Sequence, residues 1–173
     1  MNLTKINKNL VMVGMMGAGK SHLGNNLAKK IRYNFYDTDF LIEKQTNLKI
    51  PKIFENFGEK YFRELEQEIT LDILKKKNSV ISLGGGGYLN NTIRKILKKY
   101  SFTVWLRWDS KTLINRIKRN KNRPIIINMN SNEIKKLIKE RYKIYSQADM
   151  EINCEGRTKT NIVNEIVKIY ENL

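Results

Sequence analysis

Gly14, Gly19, Lys20 and Ser21 stand in the spacing G-x-x-x-x-G-K-[ST], after an apolar run at residues 10–13 and before a helical pattern. Glycines here let the backbone curl so that successive N–H groups point inward at phosphate oxygens. The positive end of a helix starting at Lys20 adds to that field. Lys20 is expected at the β- and γ-phosphates, and the Ser21 hydroxyl on Mg²⁺. Gly17, Ala18, Gly19, Lys20, Ser21 and His22 are the expected ATP contacts. A glycine-rich turn with a solvated lysine is the alternative, and the strand–loop–helix setting opposes it. The same cradle serves motors, switches and kinases, so the reaction has to be read elsewhere.

Asp37-Thr38-Asp39 closes a short strand-like segment, at the edge where open α/β sheets hold ligands. One carboxylate there would suffice to cap a following helix. Two suggest separate tasks: holding a magnesium-bound water, and accepting a hydrogen bond from a substrate hydroxyl. Phe62-Arg63-Glu64-Leu65-Glu66 lies on a longer helical pattern, where Arg63 and Glu66 are spaced as a surface ion pair. Arg141 falls within the stripe Ile134, Leu137, Ile138, Tyr145, and a buried guanidinium is costly unless an anion meets it. An internal acidic partner or snorkelling would meet that need. So would a substrate carboxylate clamped by Arg63 and Arg141, whose planar donors suit it. Four consecutive glycines, 84–87, exceed what a turn requires and fit a close approach of backbone to ligand.

The elements that position these residues alternate between short apolar runs and longer helical patterns, the mark of an α/β fold with a parallel sheet. Strands are expected at residues 10–13, 35–36, 80–83, 102–106 and 150–152. Helices are expected behind Leu23, Leu27 and Ile31, from about Phe40, through Phe62–Ile73 and Ile93–Leu97, around Leu113–Ile117, over 132–145 and at the carboxyl end. The polar, basic stretch 119–124, closed by Pro124, is a candidate mobile flap. With no repeat, linker or composition break, the 173 residues read as one domain.

The chain carries 33 Lys+Arg against 17 Asp+Glu, a formal +16 that would suit a nucleic acid or another polyanion. Yet it holds 24 Lys, 21 Asn and 22 Ile, the pattern of an AT-rich coding bias spread over a surface. The lysines do not interleave with aromatics as base stacking requires, so no nucleic-acid partner is expected. A single cysteine, Cys154, excludes an internal disulfide and a cysteine-cluster zinc site. No apolar run is long enough to cross a bilayer and no signal core opens the chain. A soluble cytoplasmic protein is expected, without a membrane partner and as a monomer.

Taken together these motifs resemble the shikimate kinase family across nearly the whole chain. The resemblance rests on the loop at 14–21, Tyr36-Asp37-Thr38-Asp39, Ile53-Phe54, Phe62-Arg63-Glu64-Leu65-Glu66, Ile81-Ser82-Leu83-Gly84-Gly85-Gly86, Arg123-Pro124, and Arg141 with Tyr142 and Tyr145. It implies a three-layer α/β P-loop kinase fold: a five-stranded parallel sheet flanked by helices, with substrate-binding helices and a lid at about 119–130. It implies transfer of the ATP γ-phosphoryl group to the 3-hydroxyl of shikimate, with Mg²⁺. It further implies that Asp39 binds substrate hydroxyls and is the candidate base, that Arg63 and Arg141 hold the carboxylate, and that the Gly85 backbone touches substrate. Lys20 and the lid residue Arg123 would be catalytic with Asp39; Arg123 and Arg157 would join the ATP contacts, and Arg116 or Arg119 would flank the nucleotide. Ser21 would bind the metal directly and Asp37 through water.

Two residues depart from the family pattern: His22 stands where threonine is usual, and Gly87 where a side chain is usual. Three rivals are a gluconate or nucleoside monophosphate kinase, a basic nucleic-acid-stimulated ATPase, and a non-catalytic nucleotide-binding module. Acceptor-dependent ADP release separates them.

Overall fold

The computed structural model describes residues 8–119, 126 and 129–172. In chain order the elements are β1 (Asn9–Val13), α1 (Lys20–Ile31), β2 (Asn34–Asp37), α2 (Thr38–Thr46), α3 (Ile50–Leu74), β3 (Ser79–Ser82), a 3₁₀ turn (Gly87–Leu89), α4 (Asn91–Tyr100), β4 (Ser101–Arg107), α5 (Ser110–Arg119), α6 (Ser131–Tyr145), β5 (Met150–Asn153) and α7 (Lys159–Tyr170). The five strands form one parallel sheet in the order β2-β3-β1-β4-β5. β1 and β3 are buried along their whole lengths, because helices cover both faces of a parallel sheet. The edge strand β5 alternates instead: Met150 and Ile152 face the core, Glu151 and Asn153 solvent.

The chain leaves β1 toward β3 and β2, then returns past β1 to β4 and β5. The crevice at the carboxyl end of β1 is therefore where the sheet's winding reverses, the ordinary location for a ligand. α1 packs against β3 and α7, while α4 packs against β4 and α3. α6 begins at a capping box: the Asn130 side chain accepts from the Asn132 and Glu133 amides, and Glu133 returns a bond to the Asn130 amide. From that start Ile134, Ile138, Arg141 and Tyr145 all fall on the buried face. α3 is broken at Gly58, whose φ of 79° and ψ of 174° lie outside the helical region. Only glycine takes that backbone without strain, so the helix changes direction ahead of Arg63.

Candidate active site

The loop between β1 and α1 has the left-handed geometry its glycines permit, with φ of 139° at Gly14, 78° at Gly17 and 84° at Gly19. At Gly14 space matters as well, since a Cβ there would lie 3.0 Å from the Leu106 carbonyl oxygen. Lys20 is buried and its ammonium donates to the carbonyls of Gly14 at 2.9 Å and Met15 at 3.0 Å. The fold thus holds a fixed positive charge within the loop rather than a solvated lysine. Ser21 Oγ lies 3.4 Å from Ser82 Oγ, and Ser82 pairs in register with Asp37 on β2. The Ser21 hydroxyl in the first turn of α1, with the Ser82 hydroxyl and the Asp37 carboxylate at the ends of β3 and β2, are hard oxygen donors that fit Mg²⁺, which binds few protein ligands beside nucleotide phosphates.

Asp37 does cap α2, accepting from the Phe40 amide at 3.1 Å. Thr38, fully buried, ties the strand ends together: its Oγ1 accepts from the Gly84 amide at 2.8 Å and donates to the Ser82 carbonyl at 3.3 Å. This turns Asp39 toward the glycine loop. A Cβ built on Gly84 would sit 2.7 Å from Asp39 Oδ1 and 2.5 Å from Glu66 Oε1. Both carboxylates therefore pack flush against the bare backbone. Gly85 abuts the phosphate loop, a Cβ there lying 3.2 Å from the Met16 amide nitrogen, and a Cβ on Gly86 would collide with the Arg63 guanidinium. The excess of glycines is what lets two loops and three charged side chains meet.

Arg63 Nη1 donates to Glu66 Oε2 at 2.7 Å, and its Nε and Nη2 donate to Glu59 Oε1 at 3.2 and 3.1 Å. Burial works against the Arg63 charge, but Glu66 and then Glu59 outweigh it and raise its pKa. The pair that the i,i+3 spacing allows does form, but not on the surface: Glu66 is only 1% exposed and lines the cleft with Arg63. Helical spacing alone does not reveal which face of α3 the cleft occupies. Glu66 is thus the site residue that the sequence undervalued.

Arg141 is 5% exposed, so snorkelling is ruled out. Its Nη1 donates to the Gly85 carbonyl at 3.4 Å, its guanidinium hydrogen-bonds the Tyr145 hydroxyl, and its Nε has no hydrogen-bond partner among the described residues. None of the ion pairs among those residues includes it. Beside it the Tyr145 hydroxyl donates to Gly85 O at 2.5 Å. Burial pushes the Tyr145 phenol up to about 12, with Arg141 opposing, so it remains a donor at neutral pH. Arg63, Glu66, Asp39, Gly85 and Arg141 line one cleft, closed on the apolar side by Ile50, Phe54 and Phe62 and on the nucleotide side by Met16.

On the other flank, Arg116 Nη1 donates to the Gly17 carbonyl at 3.3 Å, so Arg116 is brought to the phosphate loop. Arg157, in the turn after β5, is tied to Glu165 of α7 and donates to the Asn153 carbonyl at 3.3 Å. Burial pushes the Cys154 thiol up to about 12, with Arg157 and Arg116 opposing that shift. His22 Nε2 lies 3.2 Å from Lys159 Nζ at the start of α1. Arg123, Pro124 and most of the expected lid lie outside the described residues.

A strand–glycine loop–helix cradle at the reversal of a parallel sheet, sharing a wall with a cleft of two arginines and two carboxylates, defines a P-loop kinase of small molecules. A family model described as shikimate kinase matches residues 16–171. The shikimate kinase of Bartonella quintana (strain Toulouse) is 38% identical over 94% of this chain and 78% of its own length. That of Persephonella marina is 42% identical over 92% and 97%. A solved shikimate kinase from Acinetobacter baumannii, in complex with shikimate, superimposes with a TM-score of 0.90 at 31% identity, covering 95% of this chain and 93% of that one. The chain belongs to the shikimate kinase family and is an ATP-dependent kinase.

Proposed function

We propose that this chain transfers the γ-phosphoryl group of ATP to the 3-hydroxyl of shikimate, giving shikimate 3-phosphate on the route to chorismate and the aromatic amino acids. The observation that carries the reading is the buried Arg141 guanidinium, which forms no ion pair among the described residues and lies in the cleft that Met16 joins to the phosphate loop. A substrate carboxylate is the anion that such a group calls for. Arg63, braced by Glu66 and Glu59, supplies the second planar donor, and the Gly85 backbone, held by Tyr145, forms the floor.

In this reading Asp39 orients the attacking hydroxyl and accepts its proton, while Lys20 neutralises charge on the moving group. Backbone donors of Gly17, Ala18 and Gly19, with Ser21 and His22, hold the phosphates, and Arg116 and Arg157 flank the nucleotide. Ser21 would hold Mg²⁺ directly and Asp37 through water, and the ion would supply positive charge against the phosphates. Catalysis is by positioning and electrostatics rather than a covalent intermediate. The proposal also covers one domain over residues 1–173, a lid at 119–130 whose Arg123 reaches the phosphates, and a cytoplasmic monomer without nucleic-acid or membrane partners. Among the described residues no helix is long and apolar enough to cross a membrane.

Gluconate, also a hydroxylated acid, is the alternative acceptor that two arginines alone would admit. Coupled ADP release measured with shikimate, gluconate and nucleoside monophosphates tests the reading. Release that depends on shikimate supports it, and release with gluconate or a nucleotide but not shikimate refutes it.

A further inference from the structure

Trp108 follows β4 at the sheet's carboxyl edge, and no motif of the sequence pointed to it. Its indole Nε1–H donates to the Ala18 carbonyl at 3.0 Å, inside the phosphate loop and 90 positions away in sequence. Its ring face receives Arg116, whose Cζ lies 3.7 Å from the ring centre, and Arg116 in turn donates to the neighbouring Gly17 carbonyl at 3.3 Å. From behind, the Tyr142 hydroxyl donates to the Trp108 carbonyl. The Tyr142 ring meets Trp105 edge-on at 4.9 Å. An indole and a guanidinium stacked on each other thus hold two consecutive carbonyls of the loop, and the indole is itself fixed by the helix that carries Arg141.

The described peptide bonds are all trans, so in each the carbonyl and the following N–H point in opposite directions. Drawing the Ala18 oxygen toward the indole turns the Gly19 N–H away from it, across the loop. We propose that Trp108 is a positioning residue for nucleotide binding, acting through the Ala18–Gly19 peptide to aim a backbone donor at phosphate. An outward-held carbonyl also keeps its partial negative charge away from the anion, so losing the bond allows the peptide to rotate and present oxygen instead of N–H. The inference rests on the nucleotide lying in the loop at 14–21.

Calorimetric titration of MgADP and, separately, shikimate into wild type and Trp108→Phe tests it. Phenylalanine keeps an aromatic face for Arg116 and removes the N–H donor. The MgADP Kd should weaken by about two- to tenfold, the scale of one lost neutral hydrogen bond, while the shikimate Kd stays within about twofold. An unchanged MgADP Kd, or equal losses for both ligands, overturns the proposal. Absence of MgADP binding by wild type would instead sink the cradle reading itself. The indole ¹H–¹⁵N spectrum gives a second readout needing no folded variant. The chain has two tryptophans, and among the described residues Trp105 Nε1 is buried without a hydrogen-bond partner. The Trp108 signal should therefore be the downfield one and should move on MgADP saturation but not with shikimate. A Trp108 signal unmoved by MgADP contradicts the proposal.

Discussion

Replacing Arg141 by methionine should move stability and substrate affinity in opposite directions. The side chain is 5% exposed, and among the described residues it meets only neutral partners, the Gly85 carbonyl at 3.4 Å and the Tyr145 hydroxyl. Keeping a guanidinium desolvated there costs several kcal/mol, and bonds to neutral groups offset only part of it. Methionine is also long and unbranched and fills irregular space. Exchanging the buried charge for it should stabilise the unliganded protein by about 1–4 kcal/mol. At about 2–4 °C per kcal/mol for a chain of this size, the melting temperature should rise by at least about 2 °C. Loss of a charged hydrogen bond to the acid, about 1.5–3 kcal/mol, should raise the KM for shikimate about 10- to 150-fold. Shikimate should raise the melting temperature of wild type but not of the variant. Thermal unfolding with and without shikimate, beside steady-state kinetics, measures all three. A variant that melts lower, yet binds shikimate as wild type does, would make Arg141 a structural strut and refute the reasoning.

Lys20→Ala should lower turnover at least about a hundredfold, the scale of one lost electrostatic donor, and near-normal activity would contradict its role. Gly84→Ala drives a Cβ to within 2.5 Å of Glu66 and 2.7 Å of Asp39; overpacking of that kind costs about 1–3 kcal/mol, read by denaturant unfolding, and should reduce shikimate affinity together with stability. Glu66→Gln should raise the KM for shikimate more than it changes the KM for ATP, because Arg63 loses its 2.7 Å carboxylate partner; equal effects would count against the brace. The Cys154 thiol, raised from 9.0 to about 12 by burial, keeps its proton in the folded state while the unfolded chain loses it. Its contribution is present below pH 9 and falls between pH 9 and 12 by about 1.4 kcal/mol per unit. Cys154→Ala should flatten the pH dependence of stability across that window, and an identical slope would refute the assignment.

The phosphate loop was legible in sequence because its chemistry needs neighbouring residues: glycines, lysine and serine act within eight positions and carry their own geometry. Arg141 was legible for a different reason, a charge in an apolar helical stripe, although sequence left three answers open and burial removes only snorkelling. The five strands fell in their expected places, with β2 longer than Phe35-Tyr36 because its pairing with β3 runs from Asn34 to Asp37. Asp37 serves as a helix cap, the plainer of its two expected roles, with its link to the metal still a proposal. What stayed hidden was long-range or broke a period. The kink at Gly58 interrupts a helix whose apolar spacing continues on both sides. Glu66 looked like half of a surface pair, since i,i+3 spacing is the same on a wet face and a dry one. Trp108 meets the loop only because β4 lies beside β1.

The central claim is that the terminal phosphate of a nucleotide and a small carboxylic acid meet in one cleft. Following γ-labelled ATP with shikimate through to the isolated product tests this most directly. Label should appear on the 3-hydroxyl of shikimate, in step with ADP formed; label released only as inorganic phosphate, at a rate indifferent to shikimate, would contradict it.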